Sequence, residues 1–238
     1  MSTWDRLEHF RKQYAALNPH WEASTQRYQH WVSERLTSQS RVLDLGCGRG
    51  GIVERLQATG RWIGIDPDWL SLKEHRLSSL PRGQAASERL PFAAHTFDIV
   101  IASWVLEHVA NPQALFSEVA RILRPDGHFF YLTPNRRHPI PRLSHWLAGA
   151  IHQQKQWVAR IYGRRAEDTF PVFYRCNTPE QIAFRAQEAG FEKIREEIIA
   201  DPSYFAWNKP TFQLALGLEQ LIPPSWKVHL IGEYLYRA

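Results

Sequence analysis

The chain has 238 residues, 29 Lys plus Arg against 24 Asp plus Glu, and a formal net charge of +5. Hydrophobic residues are 44% and charged residues 22% of the total, a globular balance that excludes wholesale disorder. Two cysteines, Cys47 and Cys176, exclude a disulfide scaffold. No apolar run approaches the roughly 18 residues of a transmembrane helix. The polar start of the chain lacks a secretory apolar core. The expectation is therefore a cytoplasmic protein, with a peripheral position at a membrane left open.

In chain order, Leu7, Phe10 and Tyr14, then Tyr28, Trp31, Val32 and Leu36 recur at helical spacing, which predicts an N-terminal helical region over 1–38, broken at Asn18-Pro19-His20. Arg41–Leu45 reads as a strand running into Gly46-Cys47-Gly48-Arg49-Gly50-Gly51. A short helix is expected from Ile52 to Ala58, closed by Thr59-Gly60. Arg61–Asp66 and Phe97–Ala102 read as strands. Asn111-Pro112 caps a helix reaching Leu123. Pro125-Asp126-Gly127 reads as a turn before the strand His128–Leu132. A helix starts at Asn177-Thr178-Pro179-Glu180 and stops at Gly190. Ile194–Ile199 and Val228–Tyr236 are late strands, with a helix and covering wall expected between them. This alternation predicts an α/β fold with a mostly parallel sheet, helices on both faces, as a single domain over 1–238. A helical insertion is expected at 136–176.

In such sheets ligands lie beyond the carboxyl ends of the strands, which places Asp44, the glycines, Asp66 and Ser103 around one crevice. Gly46, Gly48 and Gly51 satisfy G-x-G-x-x-G, and Asp66 follows 20 residues after Gly46. Alone, this fits a dinucleotide fingerprint and an NAD(P)-dependent oxidoreductase. Asp44 discriminates. A carboxylate beside a pyrophosphate meets like-charge repulsion, about 1 kcal/mol at ~4 Å in water and more where water is excluded. A carboxylate beside an ammonium gains. S-adenosylmethionine, with an α-ammonium for Asp44 and a ribose diol for Asp66, fits the pair.

Val42-Leu43-Asp44-Leu45-Gly46-Cys47-Gly48-Arg49-Gly50 resembles the first motif of the class I S-adenosylmethionine-dependent methyltransferases, and Gly64-Ile65-Asp66-Pro67 their acidic second-strand motif. Glu88-Arg89-Leu90-Pro91-Phe92, Phe97-Asp98-Ile99-Val100, Val105-Leu106-Glu107-His108-Val109 and Leu123-Arg124-Pro125-Asp126-Gly127 are similar to the type 11 subfamily. The resemblance implies a Rossmann-like seven-stranded sheet with an antiparallel last strand and a methyltransferase activity. It further implies that Asp44, Gly46, Cys47 and Gly48 hold the methionine portion, Asp66 and Pro67 the ribose and adenine side, Ser87 and Glu88 the adenine edge, and Ser103 and Trp104 the methyl-transfer region. Ala86 departs from the pattern, since many relatives carry an acidic residue there.

For a general base, His108 and His138 are rivals, and a structural role for either stays open. Tyr174 and Arg175 could face the acceptor or pin the insertion. No metal-ligand spacing is present. Residues 136–165 carry seven Lys and Arg and no Asp or Glu, leaving −2 on the rest of the chain. Their apolar positions, with Trp146 facing a candidate acceptor, recur at helical spacing. A lid, a helix on an anionic membrane and a core-packed helix are the competing readings; nucleic acid is disfavoured, because no dedicated module is present. The expected acceptor is a small molecule, a lipid or a glycan, methylated at oxygen. A non-catalytic S-adenosylmethionine-binding regulator is the remaining alternative.

Overall fold

The computed structural model of the chain describes residues 3–139 and 170–238. The described residues gather into two compact units. One comprises those of Met1–Ser24, Pro134–Val172 and Ile198–His229; the other is Thr25–Thr133, Phe173–Glu197 and Leu230–Ala238.

The second unit is built on a sheet of seven strands: β1 (Arg41–Leu45), β2 (Arg61–Asp66), β3 (Arg82–Gln84), β4 (Phe97–Ser103), β5 (Leu123–Pro134), β6 (Phe191–Ile199) and β7 (His229–Tyr236). Their order is β3-β2-β1-β4-β5-β7-β6. β1 pairs in parallel with β2 and β4, β2 with β3, and β4 with β5, and the last strand is antiparallel. Val42, Leu43, Val100, Ile101, Phe129 and Phe130 are fully buried. Strands covered on both faces carry continuous apolar runs, which is why β1 and β4 read so clearly. The chain moves outward from β1 to β3 and returns to β4 beside β1, so the switch point, where such sheets hold ligands, lies at the carboxyl ends of β1 and β4.

Helix α2 (Ser24–Arg35) precedes β1, and α3 (Val53–Leu56), α4 (Trp69–Lys73), α5 (Pro112–Ile122) and α6 (Pro179–Glu188) connect the strands. The Asn111 side chain accepts from the Ala114 N–H at the start of α5, the cap its sequence predicted, and Thr178 accepts from Gln181 at the start of α6. Two expectations need correction. Pro125-Asp126-Gly127 is no free turn but part of β5: pairing steps from Phe97↔Leu123 to Ile99↔His128, and Asp126 sits at φ +60°. The extra residues bulge within the ladder, which lets turn-type residues stay in a strand. The helix expected at 52–58 shortens to α3, followed by turns.

The first unit contains α1 (Thr3–Leu17), a 3-10 turn at Pro202–Phe205 and α7 (Lys209–Leu221). Leu7, Tyr204 and Val228 form one apolar cluster; Phe10, Ala206 and Phe212 form another. The break after α1 and the helix expected within 201–221 are both present. Arg11 donates to Asp201 Oδ2 at 2.9 and 2.7 Å. His229 has Ser24 Oγ at 2.9 Å from Nδ1 and Tyr204 Oη at 3.1 Å from Nε2. Burial pushes its pKa down to about 3, so it is a neutral ring bound at both nitrogens.

Candidate active site

β1 and β2 end side by side in two carboxylates, and the loop after β1 folds around them. The Gly46 and Cys47 N–H groups both donate to the Ile65 carbonyl, at 2.7 and 3.0 Å. Gly46 lies at φ +75°, and a Cβ there would run into the Val105 side chain. Gly48 lies at φ +50°. Both conformations favour glycine. Gly51, the last glycine of the pattern, adopts no positive φ and faces open space. It satisfies the motif without a conformational need.

The Gly48 and Asp68 N–H groups donate to the two Asp66 oxygens, each at 2.8 Å. Burial nevertheless raises the Asp66 pKa against these donors. Asp44 is more extreme. Its side chain is buried, and burial, reinforced by Asp66, pushes its pKa up to about 7. Among the described residues its carboxyl accepts no hydrogen bond and meets no cation. A buried carboxyl without a partner costs free energy, and a cationic ligand removes that cost. The carboxylate pair therefore suits a ligand bearing an ammonium and a diol. Cys47 is buried against Gly64, and burial holds its thiol well above the ordinary range. It packs the loop and is no nucleophile.

On the β2–β3 side, the Ala85 N–H donates to the Asp66 carbonyl and the Gln84 amide to the Pro67 carbonyl, the latter at 2.8 Å. Ser87 Oγ donates to Glu88 Oε2 at 2.9 Å. Beyond them, Glu118 accepts from the Leu90 N–H, and Arg121 donates to the Leu90 and Phe92 carbonyls. The 85–92 loop is thus fastened to α5. Ala86 supplies no side-chain acceptor, and Ser87 and Glu88 are the polar side chains beside it.

β4 delivers Ser103 and then Trp104, whose backbone sits at φ +61° with its N–H on the Leu132 carbonyl at 2.7 Å. A non-glycine residue at positive φ is uncommon and concentrates at functional sites. A 3-10 turn, Leu106–His108, follows. His108 is partly exposed, its Nε2 lies 3.9 Å from Glu107 Oε1, and its charge acts on Asp66. The crevice therefore brings Asp44, Gly46, Cys47, Gly48, Asp66, Ser103, Trp104 and His108 together in one unit.

Tyr174 and Arg175 reach this same loop. The Phe173 and Tyr174 N–H groups donate to the Glu107 carbonyl, and Arg175 donates to the Ala110 carbonyl at 2.6 Å. His138 lies in the other unit, buried, with its pKa pushed down to about 4 by burial and then by Lys227. Trp146, the expected lid or membrane helix, and most of the basic segment 136–165 fall outside the described residues. Among the described residues no cluster of His, Cys, Asp or Glu could hold a metal. None is a helix long and apolar enough to cross a membrane. Sequence reasoning missed the roles of Glu107, Thr133 and Asn177, three buried polar residues that meet behind His108. They are 26 and 44 positions apart along the chain, and only the fold joins them.

Comparison with known proteins agrees with this geometry. The family model Methyltransferase domain (Methyltransf_11) matches residues 43–131, the segment that carries both carboxylates and His108. The chain is 30% identical over 171 residues to a Ubiquinone biosynthesis O-methyltransferase of Thiobacillus denitrificans, covering 68% of this chain and 69% of that one. It is 27% identical over 201 residues to the protein of the same name from Pseudomonas putida, covering 79% and 77%. Other relatives of that name align over 42–44% of their length. Among solved structures, geranyl diphosphate C-methyltransferase from Streptomyces coelicolor, in complex with S-adenosyl-L-homocysteine, superposes with a TM-score of 0.61 at 14% identity, covering 90% of this chain and 80% of that one.

Proposed function

Because the chain belongs to the class I S-adenosylmethionine-dependent methyltransferases, type 11 subfamily, we propose that it methylates a hydroxyl oxygen on an aromatic, lipid-like small molecule. Membership disposes of the NAD(P) alternative. The dependence on S-adenosylmethionine fits the carboxylate pair: Asp44 would take the α-ammonium and Asp66 the ribose diol. When bound, this cofactor supplies a methyl group already activated on a sulfonium.

The rest is done by the chain's own residues. The Asp44 and Asp66 carboxylates at the β1 and β2 tips would orient the ligand. The Gly46–Gly48 loop, tied to Ile65, admits close backbone approach. A hydroxyl acceptor must lose its proton as the oxygen becomes a nucleophile, and His108 is the titratable side chain in the crevice on the methyl-transfer side. Position supplies much of the acceleration, since effective molarities in well-oriented systems correspond to roughly 7–11 kcal/mol. A general base adds about 10²–10⁴-fold.

The observation that carries the reading is the buried carboxyl of Asp44 beside Asp66, without a partner among the described residues. The names of the relatives support oxygen as the target and an aromatic lipid precursor as the acceptor. The test has two arms. Calorimetry with S-adenosylhomocysteine and NADH should detect the first ligand alone; binding of NADH alone would sink the assignment. Labelled methyl transfer should then proceed to a prenylated catechol and be lost with its dimethyl ether. Transfer to an amine or a glycan instead would replace the acceptor class.

A further inference from the structure

We infer that Asn177, Thr133 and Glu107 form a positioning relay for His108. The inference rests on His108 serving as the proton acceptor in the reading above. Asn177 Nδ2 donates to Thr133 Oγ1 at 2.6 Å. Thr133 Oγ1 donates to Glu107 Oε2 at 3.0 Å. Glu107 Oε1, the other oxygen of the same carboxylate, lies 3.9 Å from His108 Nε2.

The direction of this chain follows from its donors. An amide NH₂ can only donate. With that donor on its oxygen, the Thr133 hydroxyl is left to point its proton at Glu107. One carboxylate oxygen is thereby pinned, and the other faces the imidazole. Asn177 and Thr133 are fully buried and Glu107 nearly so, so water cannot take the place of these hydrogen bonds. The main chain is clamped as well. The Phe173 N–H donates to the Glu107 carbonyl at 2.8 Å and the Tyr174 N–H at 3.3 Å. Three separate parts of the chain, the turn after β4, the end of β5 and the approach to α6, thus hold one carboxylate.

A carboxylate fixed in this way meets the imidazolium that His108 becomes on taking the hydroxyl proton. It need not reorganise at that moment, which is how fixed charges lower barriers. Glu107 touches neither acceptor nor cofactor in this scheme. It acts through His108, and Thr133 and Asn177 act through Glu107.

The experiment separates a relay from a structural clasp. Thr133→Val removes the hydroxyl at nearly constant shape, and Thr133→Ser restores it. In ¹⁵N-imidazole spectra of the free protein, the His108 resonances are those lost in His108→Asn. Thr133→Val should displace them, and Thr133→Ser should leave them near the wild-type positions. With prenylated catechol as acceptor, Thr133→Val should lower kcat about tenfold, a fraction of the full general-base contribution. The acceptor KM and the affinity for S-adenosylhomocysteine should change less than about twofold, and the loss should vanish in the His108→Asn background. Unmoved ring resonances, or a loss that is undiminished on top of His108→Asn, would overturn the relay. Should Thr133→Val fail to fold, Glu107→Gln carries the same expectations. If the wild-type chain leaves prenylated catechol unmethylated, the acceptor assignment falls, and the ring resonances alone decide the relay.

Discussion

Two buried carboxylates in the same sheet have opposite surroundings. Glu233 on β7 is fully buried, yet Arg35 donates to it at 2.8 Å, Arg195 at 2.6 Å, and His128 pairs with it at 2.8 Å. Burial alone would raise its pKa; its partners outweigh burial and hold it below the ordinary carboxylate range. Asp44 on β1 is buried to a similar degree, but its near neighbour among charges is another carboxylate, and its pKa moves the other way. Among the described residues the chain completes the Glu233 site and supplies no partner to Asp44. A buried charge that finds its partners within the fold serves the architecture, and one that finds none is a candidate binding group.

This contrast can be broken by mutation. The largest effect is expected at Glu233. Arg195→Ala removes its pairs with Glu233 and Glu34 and its stacking on Trp31 at 4.3 Å. Stability should fall by about 3 kcal/mol, in line with broken buried pairs, as read by chemical denaturation. Asp44→Asn should do the reverse. At pH 8 the unliganded protein should melt no lower than wild type, because a desolvated charge has gone. Affinity for S-adenosylhomocysteine should drop roughly 10–100-fold, corresponding to about 1.5–3 kcal/mol for a charged hydrogen bond. A large loss of stability in Asp44→Asn would erase the distinction.

The pH dependence has a definite sign. Asp44 has a raised pKa, so the folded chain takes up its proton as pH falls through about 7. The protonated carboxyl cannot pair with an ammonium. Calorimetric affinity should therefore weaken below about pH 7, approaching tenfold per pH unit, and Asp44→Asn should flatten that slope. For the unliganded chain the same shift predicts stability falling as pH rises from the ordinary carboxylate range toward 7. The smallest effect belongs to a partly exposed charge that is already paired. Asp98 accepts from the Arg41 N–H and from Arg124, each at 2.7 Å. Asp98→Asn should cost no more than about 1 kcal/mol and leave cofactor affinity unchanged.

The cofactor half of the site was legible because its signals are local. Asp44 lies two positions before the first glycine, Asp66 closes an apolar run, and both sit where strands stop. β1, β2 and β4 announced themselves by short apolar runs, Val42-Leu43, Trp62–Ile65 and Ile99–Ala102. β3 did not, since Arg82-Gly83-Gln84 has three residues and no apolar side chain. The residues 125–127 misled because their composition suits a turn, and only pairing with β4 showed them inside a strand. The acceptor half resisted for a different reason. His108 and His138 looked equal as titratable residues, and burial separates them. Glu107, Thr133 and Asn177 each read as ordinary polar residues, and their hydrogen bonds cross strands that only the fold brings together.

The carboxylates at the tips of β1 and β2 also bear on turnover. The α-ammonium and the ribose diol are common to the methyl donor and to the thioether left after transfer. Contacts from Asp44 and Asp66 would therefore grip the spent molecule as firmly as the fresh one. Binding energy of that uniform kind does not speed the chemical step. Such contacts would predispose the enzyme to inhibition by its own thioether product.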